Sequence, residues 1–404
     1  MTDSATDSRS GSTSMWNKAF LALIVVNFFR AMAQFMTNVT IPLYADSMGA
    51  SASVVGTVVG VFAVTALGIR PFAGPAFDSF SKKKMLMVAI GFNLAAMILY
   101  GFSTTIPALV IVRLIHGVGI GMGGPVSMAL VAEHVPDNRL ASGLSIFTIS
   151  QAVAQVIAPA FGLWLLEAVG YSATYWIGAV AIACGFLSIF VIPEQRDVER
   201  EPYRLSLSRM FAKEAVPATI ALFLLSAGQI SVGTYIVLYG EMVGLHQMGV
   251  YFVVYAITMI ATRPIFGRLA DRWGAERMLL PTTAVFAISF LMLVRMHSMP
   301  MLVATAIVAG MGFGSCVPLV QTISMQKAPA NRRGAASNTS FIGLDTGALV
   351  GPVIAGNIID ALVPVTGSTV VAYEGMWYAM VIPVAIAFAM VLLWVLRARR
   401  ESRR

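Results

Sequence analysis

Long apolar stretches follow one another along almost the whole chain, separated by short polar segments. About 20 apolar residues are needed to cross the hydrocarbon layer of a membrane. The pattern therefore predicts twelve membrane-spanning helices, at 18–45, 52–76, 85–104, 106–132, 140–168, 171–192, 215–243, 247–269, 278–297, 300–327, 335–360 and 374–396. The one long polar interruption, 193–214, contains five acidic and five basic residues and separates six spans from six. We predict an all-α membrane protein.

An internal repeat relates the two groups of six spans. The segments RPFAGPAFDSFSKKKML at 70–86 and RPIFGRLADRWGAERML at 263–279 are identical at six of seventeen positions and lie 193 residues apart. The same offset aligns further glycines and prolines over about ninety positions, which indicates a duplicated half-protein. We predict a disordered cytoplasmic tail at 1–17, an N-terminal half at 18–192, a cytoplasmic linker at 193–214, a pseudo-symmetric C-terminal half at 215–396 and a basic tail at 397–404.

Composition and charge place the chain in a membrane and exclude other classes of protein. Hydrophobic residues make up 58% of the chain and charged residues 11%, whereas soluble domains carry about 25% charged residues. The net charge of +8 comes mainly from Lys and Arg in short segments between the spans and at the ends. By the positive-inside rule both termini are then cytoplasmic. We expect a monomeric inner-membrane protein in contact with lipid, and no nucleic-acid binding.

Two six-helix halves joined by a cytoplasmic linker resemble the major facilitator superfamily of transporters. The most specific marker is GRLADRWG at 267–274, which is similar to the family's GxLaDrxGrk loop between its second and third helices. The first copy departs from that pattern at Pro75, Ser79 and Ser81.

In the family this loop latches the two halves together on the cytoplasmic side. The resemblance implies a gating role for Gly74, Asp78, Gly267, Arg268, Asp271 and Arg272. Asp78 would face the start of the eleventh span, and Asp271 the start of the fifth. The alternative is a tight turn whose charges serve only to set the topology.

Ionisable residues inside the predicted spans are the candidates for proton coupling. The stretch RLIHGVG at 113–119 is similar to the family's RxxxGxG signature, which is associated with proton coupling in exporters. The repeat has Ala306 in place of Arg113, which argues against a purely structural role for this arginine. Asp345 is the one carboxylate that we place deep in a span. We predict that Arg113, His116 and Asp345 take part in proton coupling; for His116 the alternative is simple packing.

Polar side chains recur at helical spacing in four otherwise apolar spans. A solvated path between the helices explains such stripes, and hydrogen bonding between packed helices is the alternative. Arg30, near the bilayer midplane, either pairs with a carboxylate such as Asp345 or faces water and binds an anionic substrate group; we favour the second. The predicted substrate-binding residues are Asn27, Arg30, Gln34 and Asn38 in the first span, Gln151 and Gln155 in the fifth, Gln229 in the seventh and Tyr255 in the eighth.

These observations predict a secondary transporter similar to the bacterial drug- and metabolite-efflux members of the superfamily. It would exchange protons for small amphipathic organic molecules by alternating access. The sequence has no P-loop, no catalytic constellation and no metal-binding His/Cys spacing, so we expect no enzymatic activity, no ATP use, no cofactor and no metal. One alternative is proton-coupled uptake of an organic anion, which Arg30 and Arg113 favour. A remote alternative is a membrane sensor or scaffold that transports nothing.

Overall fold

The computed structural model of this chain describes residues 15–136, 139–194, 211–329 and 332–401. At 73–75, 77, 78, 141, 333, 334 and 398–401 only the backbone is described. Only the backbone of Gly74 and Asp78, two of the predicted gating residues, is therefore described. Most of the predicted tail at 1–17 and of the predicted linker lies outside the described part.

Twelve spans form the described part of the chain, as the hydropathy pattern predicts. They are α1 (Lys18–Ser47), α2 (two segments, Ala52–Gly60 and Phe62–Ser79), α3 (Lys82–Phe102), α4 (Ile106–His134), α5 and α6 (the two parts of Leu140–Ser188), α7 (Val216–Met242), α8 (Gly249–Trp273), α9 (Ala275–Val294), α10 (Met299–Lys327), α11 (Arg333–Thr366) and α12 (Thr369–Glu401). α5 and α6 meet at Gly170, whose φ of 75° and ψ of 178° interrupt the helix. Such a conformation is open mainly to glycine.

The two halves use the same helix pairs, which confirms the internal repeat. In the N-terminal half α4 packs on α2 and α3, and in the C-terminal half α10 packs on α8 and α9. Glycines mark equivalent points of contact: Gly117 of α4 abuts the backbone at Phe62, and its counterpart Gly310 of α10 abuts the backbone at Tyr255. A side chain at either glycine would collide with that backbone, so the repeated glycines let the helices approach closely.

The spans alternate in direction, so the bundle has two membrane faces. The basic face is marked by Ser81, Val135, Ile192, Gly274 and Ala328, and the opposite face by Met48, Ser103, Gly170, Val243 and Gly367. Ion pairs at the basic face, such as Lys82 with Glu133 and Lys327 with Glu276, connect helices of the same half. The structure thus shows ionic contacts within each half at this face.

The halves are joined firmly towards the opposite face, where α2 packs on α11 and α5 on α8. The backbone N–H groups of Ala52 and Ser53, at the start of α2, each donate to the carboxylate of Asp360 on α11 at 3.0 Å. The Tyr235 hydroxyl of α7 lies 2.7 Å from the carbonyl oxygen of Ala52 and 2.8 Å from that of Pro352, and these two acceptors share its one hydrogen. One cluster of polar contacts therefore ties α2, α7 and α11 together.

Gly56→Ala is expected to open the two halves at the opposite face. A Cβ at Gly56 would lie inside van der Waals distance of the Pro352 carbonyl, which is backbone of the other half and has to retreat by about 1 Å or more. Double electron–electron resonance should report a longer distance between spin labels at Ser47 and Thr366 in this variant than in the wild-type protein. Gly68→Ala is the matched control on α2, since nothing lies within 4 Å of a Cβ there. An unchanged distance in Gly56→Ala would contradict the close contact of α2 with α11 at this face.

Candidate functional site

An ion pair links the two halves inside the predicted membrane. Arg70 Nε of α2 lies 2.6 Å from Asp345 Oδ2 of α11, and the two side chains are only 14% and 10% exposed. The guanidinium also lies over the ring of Phe341, 5.2 Å from its centre. Asp345 stands about 18 Å along α11 from its start at the basic face. The pair is thus well inside the bundle, on the basic side of the α2–α11 contact.

This pairing corrects one of the two interpretations of Arg30. Asp345 contacts Arg70 and not Arg30, so the predicted alternative of an Arg30–Asp345 pair is wrong. The pattern of spans places Arg70 near a helix end at the basic face but does not indicate that it crosses to the other half. Only the register of α2 against α11 reveals the contact.

Arg30 is buried among neutral oxygen atoms. Its guanidinium donates to Gln34 Oε1 at 3.0 Å and to Asn27 Oδ1 at 2.9 Å, both on its own helix. Asn27 in turn donates to the Phe147 carbonyl at 3.1 Å and to Ser150 Oγ at 2.9 Å. Arg30 Nε is buried without a hydrogen-bond partner among the described residues. The salt bridges found in the described part of the chain do not include Arg30, so its charge is not neutralised there by a carboxylate.

The other predicted substrate residues lie on the helices that join the halves. α1 packs on α7 and α5 on α8, and these four helices carry the whole predicted set. Gln34, Asn38, Gln151, Gln155 and Gln229 are half-buried and Tyr255 is buried. Gln155 Nε2 of α5 lies 4.0 Å from Met259 Sδ of α8, and Gln229 Oε1 of α7 is buried without a partner in the described part of the chain. Polar groups from both halves thus lie along the junction.

Arg113 stabilises a break in the backbone hydrogen bonding of α2 at Val61, where φ of −61° and ψ of −24° keep the chain helical. The two segments of α2 meet at Val61, and the fully buried Arg113 donates from Nε to the Val58 carbonyl at 3.1 Å and from Nη2 to the Val59 carbonyl. Its guanidinium also lies over the Phe62 ring, 4.6 Å from the centre. The last carbonyls of a helix carry partial negative charge and lack partners in the helix. Arg113 therefore acts here as a cap for the first segment.

The same contacts explain why the repeat has lost this arginine. The C-terminal counterpart of α2 is α8, which is one continuous helix from Gly249 to Trp273. With no break in α8, position 306 faces no free carbonyl pair and is occupied by alanine. The asymmetry of Arg113 and Ala306 thus has a structural reason, contrary to the sequence argument, while a part for Arg113 in proton coupling remains a prediction.

His116 follows Arg113 by one turn and is buried against α3. Its Nδ1 lies 3.3 Å from the hydroxyl of Tyr100, and the two rings meet edge to face with centres 5.8 Å apart. None of the contacts found for the described residues joins His116 or Arg113 to Asp345. The three predicted proton-coupling residues therefore occupy two separate places, one within the N-terminal half and one between the halves.

The second copy of the gating loop ends α8 at the basic face. Arg268, Asp271 and Arg272 are exposed there, and none of them belongs to a salt bridge among the residues that the structure describes. A Cβ at Gly267 would meet nothing within 4 Å, so this glycine does not mark a close helix contact in this structure. The predicted contact of Asp271 with the start of α5 stays a prediction for a state closed at the basic face.

Comparison with known proteins identifies the family to which the chain belongs. The sequence model of the Major Facilitator Superfamily matches residues 23–251 and 242–404. The Multidrug resistance protein 1 of Bacillus subtilis (strain 168) is 23% identical over 84% of this chain and 90% of its own length. The Staphylopine export protein of Staphylococcus aureus (strain Mu50) is 26% identical over 61% of this chain. That match spans 64% of the staphylopine exporter, a little under two thirds of its length.

Solved structures agree with the fold. The nucleoside transporter NupG superimposes with a TM-score of 0.75 and 13% identity, over 93% of this chain and 99% of that one. A bacterial homolog of the human lysosomal transporter Spinster, in an inward-facing and unoccupied conformation, gives a TM-score of 0.75 at 14% identity, over 95% and 97%. With twelve membrane-spanning helices among its described residues and a family match along almost its whole length, this multi-pass membrane protein belongs to the Major Facilitator Superfamily.

Proposed function

We propose that this protein is a proton-coupled efflux transporter for small amphipathic organic molecules and works by alternating access. The names of its relatives, an export protein and a multidrug resistance protein, support the direction and the kind of cargo. The positive-inside rule identifies the basic face with the cytoplasm and keeps both termini there. The opposite face, where the halves are joined, then faces outwards, and the structure corresponds to a state that is closed to the outside.

The observation that carries the proton coupling is the Arg70–Asp345 pair. The guanidinium stabilises the ionised carboxylate in the state closed to the outside, so a proton on Asp345 is released as the pair forms. When the halves part at the α2–α11 contact, Asp345 loses this partner in a poorly hydrated place and favours its neutral form. Cargo that binds from the cytoplasm would separate the pair. After the cargo has left, a proton that binds Asp345 from outside would let the empty protein return to the state closed to the outside.

Asp345→Asn should abolish accumulation of cargo driven by a pH gradient and leave cargo exchange without a gradient largely intact. In exchange mode the protein changes conformation in both directions with cargo bound, so no proton site is needed. The measurement uses proteoliposomes and a fluorescent amphipathic dye, in both gradient-driven and exchange modes. Glu133→Gln is the matched control, since Glu133 pairs with Lys82 within one half at the basic face. Normal gradient-driven accumulation by Asp345→Asn would remove this carboxylate from the mechanism and leave His116 as the candidate.

A second candidate, transport of an organic anion, rests on Arg30. A buried guanidinium whose hydrogen-bond partners in the described structure are Asn27 and Gln34 offers its charge to an anionic group. Uptake and export of such an anion are distinguished by the direction in which a labelled acid accumulates in the same vesicles.

A further inference from the structure

Two equivalent contacts join the halves, α2 with α11 and α8 with α5. The repeat relates them: Gly56 of α2 abuts Pro352 of α11, and its counterpart Gly249 of α8 abuts Ala160 of α5. Fourteen positions after each glycine stands an arginine, Arg70 in α2 and Arg263 in α8. That spacing corresponds to about 21 Å along a helix, so both arginines lie at the same depth of their contact.

The two contacts differ in whether the protein provides a carboxylate as partner for the arginine. Arg70 pairs with Asp345 of α11, but the residue of α5 that corresponds to Asp345 in the repeat is Ala152. Arg263 instead donates from Nε to the Gly314 carbonyl at 3.3 Å, and its Nη2 lies 3.4 Å from Met259 Sδ. A thioether is a weak acceptor. The salt bridges of the described residues do not include Arg263.

The surroundings of Arg263 point to the cargo path. Gln155 of α5 lies 4.0 Å from the same Met259 sulfur that Arg263 contacts. One sulfur atom thus contacts both the cation and a glutamine of the other half, at the α5–α8 junction. Tyr255, two turns before Arg263 on α8, is buried and stacks on Tyr251 with ring centres 6.2 Å apart. A buried aromatic pair and a guanidinium therefore lie along one helix.

We propose that Arg263 binds an anionic group of the transported molecule, such as a carboxylate, in the place that Asp345 occupies at the equivalent contact. The inference rests on the proposed transport function and specifies its cargo as an amphipathic acid. The guanidinium fork suits a planar carboxylate. At the α5–α8 contact the cargo then supplies the acid that the protein supplies itself at the α2–α11 contact.

Ala152→Asp tests the geometry without any ligand. The new carboxylate should pair with Arg263 and raise the melting temperature of the purified protein above that of Ala152→Asn, the neutral control of the same size. Adding Arg263→Gln to both variants should remove the difference. Equal melting temperatures for Ala152→Asp and Ala152→Asn would show that position 152 does not face the guanidinium, and would overturn the proposal.

Binding of N-dansyl-leucine and of its amide, N-dansyl-leucinamide, tests the chemistry. The wild-type protein should bind the acid roughly tenfold or more tightly than the amide, as measured by dansyl fluorescence in detergent. Ala152→Asp and Arg263→Gln should lose this preference, and Ala152→Asn should keep it. Equal or absent binding of the two probes by the wild type overturns the proposal, and so does a preference that only Arg30→Gln removes. Because no proton gradient is present, failure here is distinct from failure of the Asp345 mechanism.

Discussion

Arg70→Ala is expected to lower the free energy of unfolding by about 3–5 kcal/mol, the usual cost of leaving one member of a buried ion pair without its partner. Both side chains are largely buried, at 14% and 10% exposure, so solvent screens the pair weakly. Asp345→Ala in the same protein should restore much of the loss, since no unpaired charge then remains. Unfolding in detergent of the two single variants and the double variant gives the coupling energy directly.

Lys82→Ala provides the comparison for this cycle. Lys82 and Glu133 form a pair within one half, with side chains 21% and 22% exposed at the basic face. Solvent screens this pair more than the Arg70–Asp345 pair, and exposed ion pairs contribute about 1 kcal/mol or less. The buried pair between the halves is contradicted if Arg70→Ala is no more damaging than Lys82→Ala. It is also contradicted if Asp345→Ala fails to restore stability to Arg70→Ala.

Arg113→Ala should be comparably damaging, for a different reason. The guanidinium makes hydrogen bonds to the carbonyls of Val58 and Val59, and bonds to a charged group contribute roughly 1.5–3 kcal/mol each. Their loss uncovers two carbonyls inside the membrane, where water does not replace the donor. Arg113→Lys should retain part of the stability, because the ammonium keeps the charge and can still reach one carbonyl.

Hydrogen exchange separates this capping role from a general loss of stability. Amides around the break, at 55–65, should exchange much faster in Arg113→Ala, while those of the continuous helix α8 change little. Uniform acceleration across both helices would mean that Arg113 does not act on the break in α2.

The sequence predicts the spans and the repeat well because both rest on strong local demands. A helix in lipid needs about 20 apolar residues whatever its neighbours are, and the repeated glycines at 117 and 310 contact equivalent backbone in both halves. The partners of charged side chains, in contrast, do not follow from the local sequence. The Arg70–Asp345 contact joins residues 275 positions apart, and only the packing of α2 on α11 sets their meeting.

Arg113 shows how a local irregularity misleads reasoning from the repeat. The break at Val61 has one visible signal, the adjacent Gly60, and no proline. As long as the break is not recognised, the alanine at 306 suggests that Arg113 has no structural role.

The spacing of Asn27, Arg30 and Gln34 predicts a solvated path between the helices. In the structure these side chains are hydrogen-bonded to one another along α1. Helical spacing indicates their common face but not their mutual contacts.

The bond between the start of α2 and Asp360 also has a consequence for biosynthesis. Asp360 lies 308 residues after Ala52, and a ribosome adding about 5–20 residues per second needs roughly 15–60 s to reach it. Until then the first N–H groups of α2 have only water at the membrane surface to bond with. The other end of that segment is secured much earlier, since Arg113 follows Val58 by 55 residues. A nascent N-terminal half should therefore anchor α2 at its break first, and complete its outer turn only after the eleventh helix has been inserted.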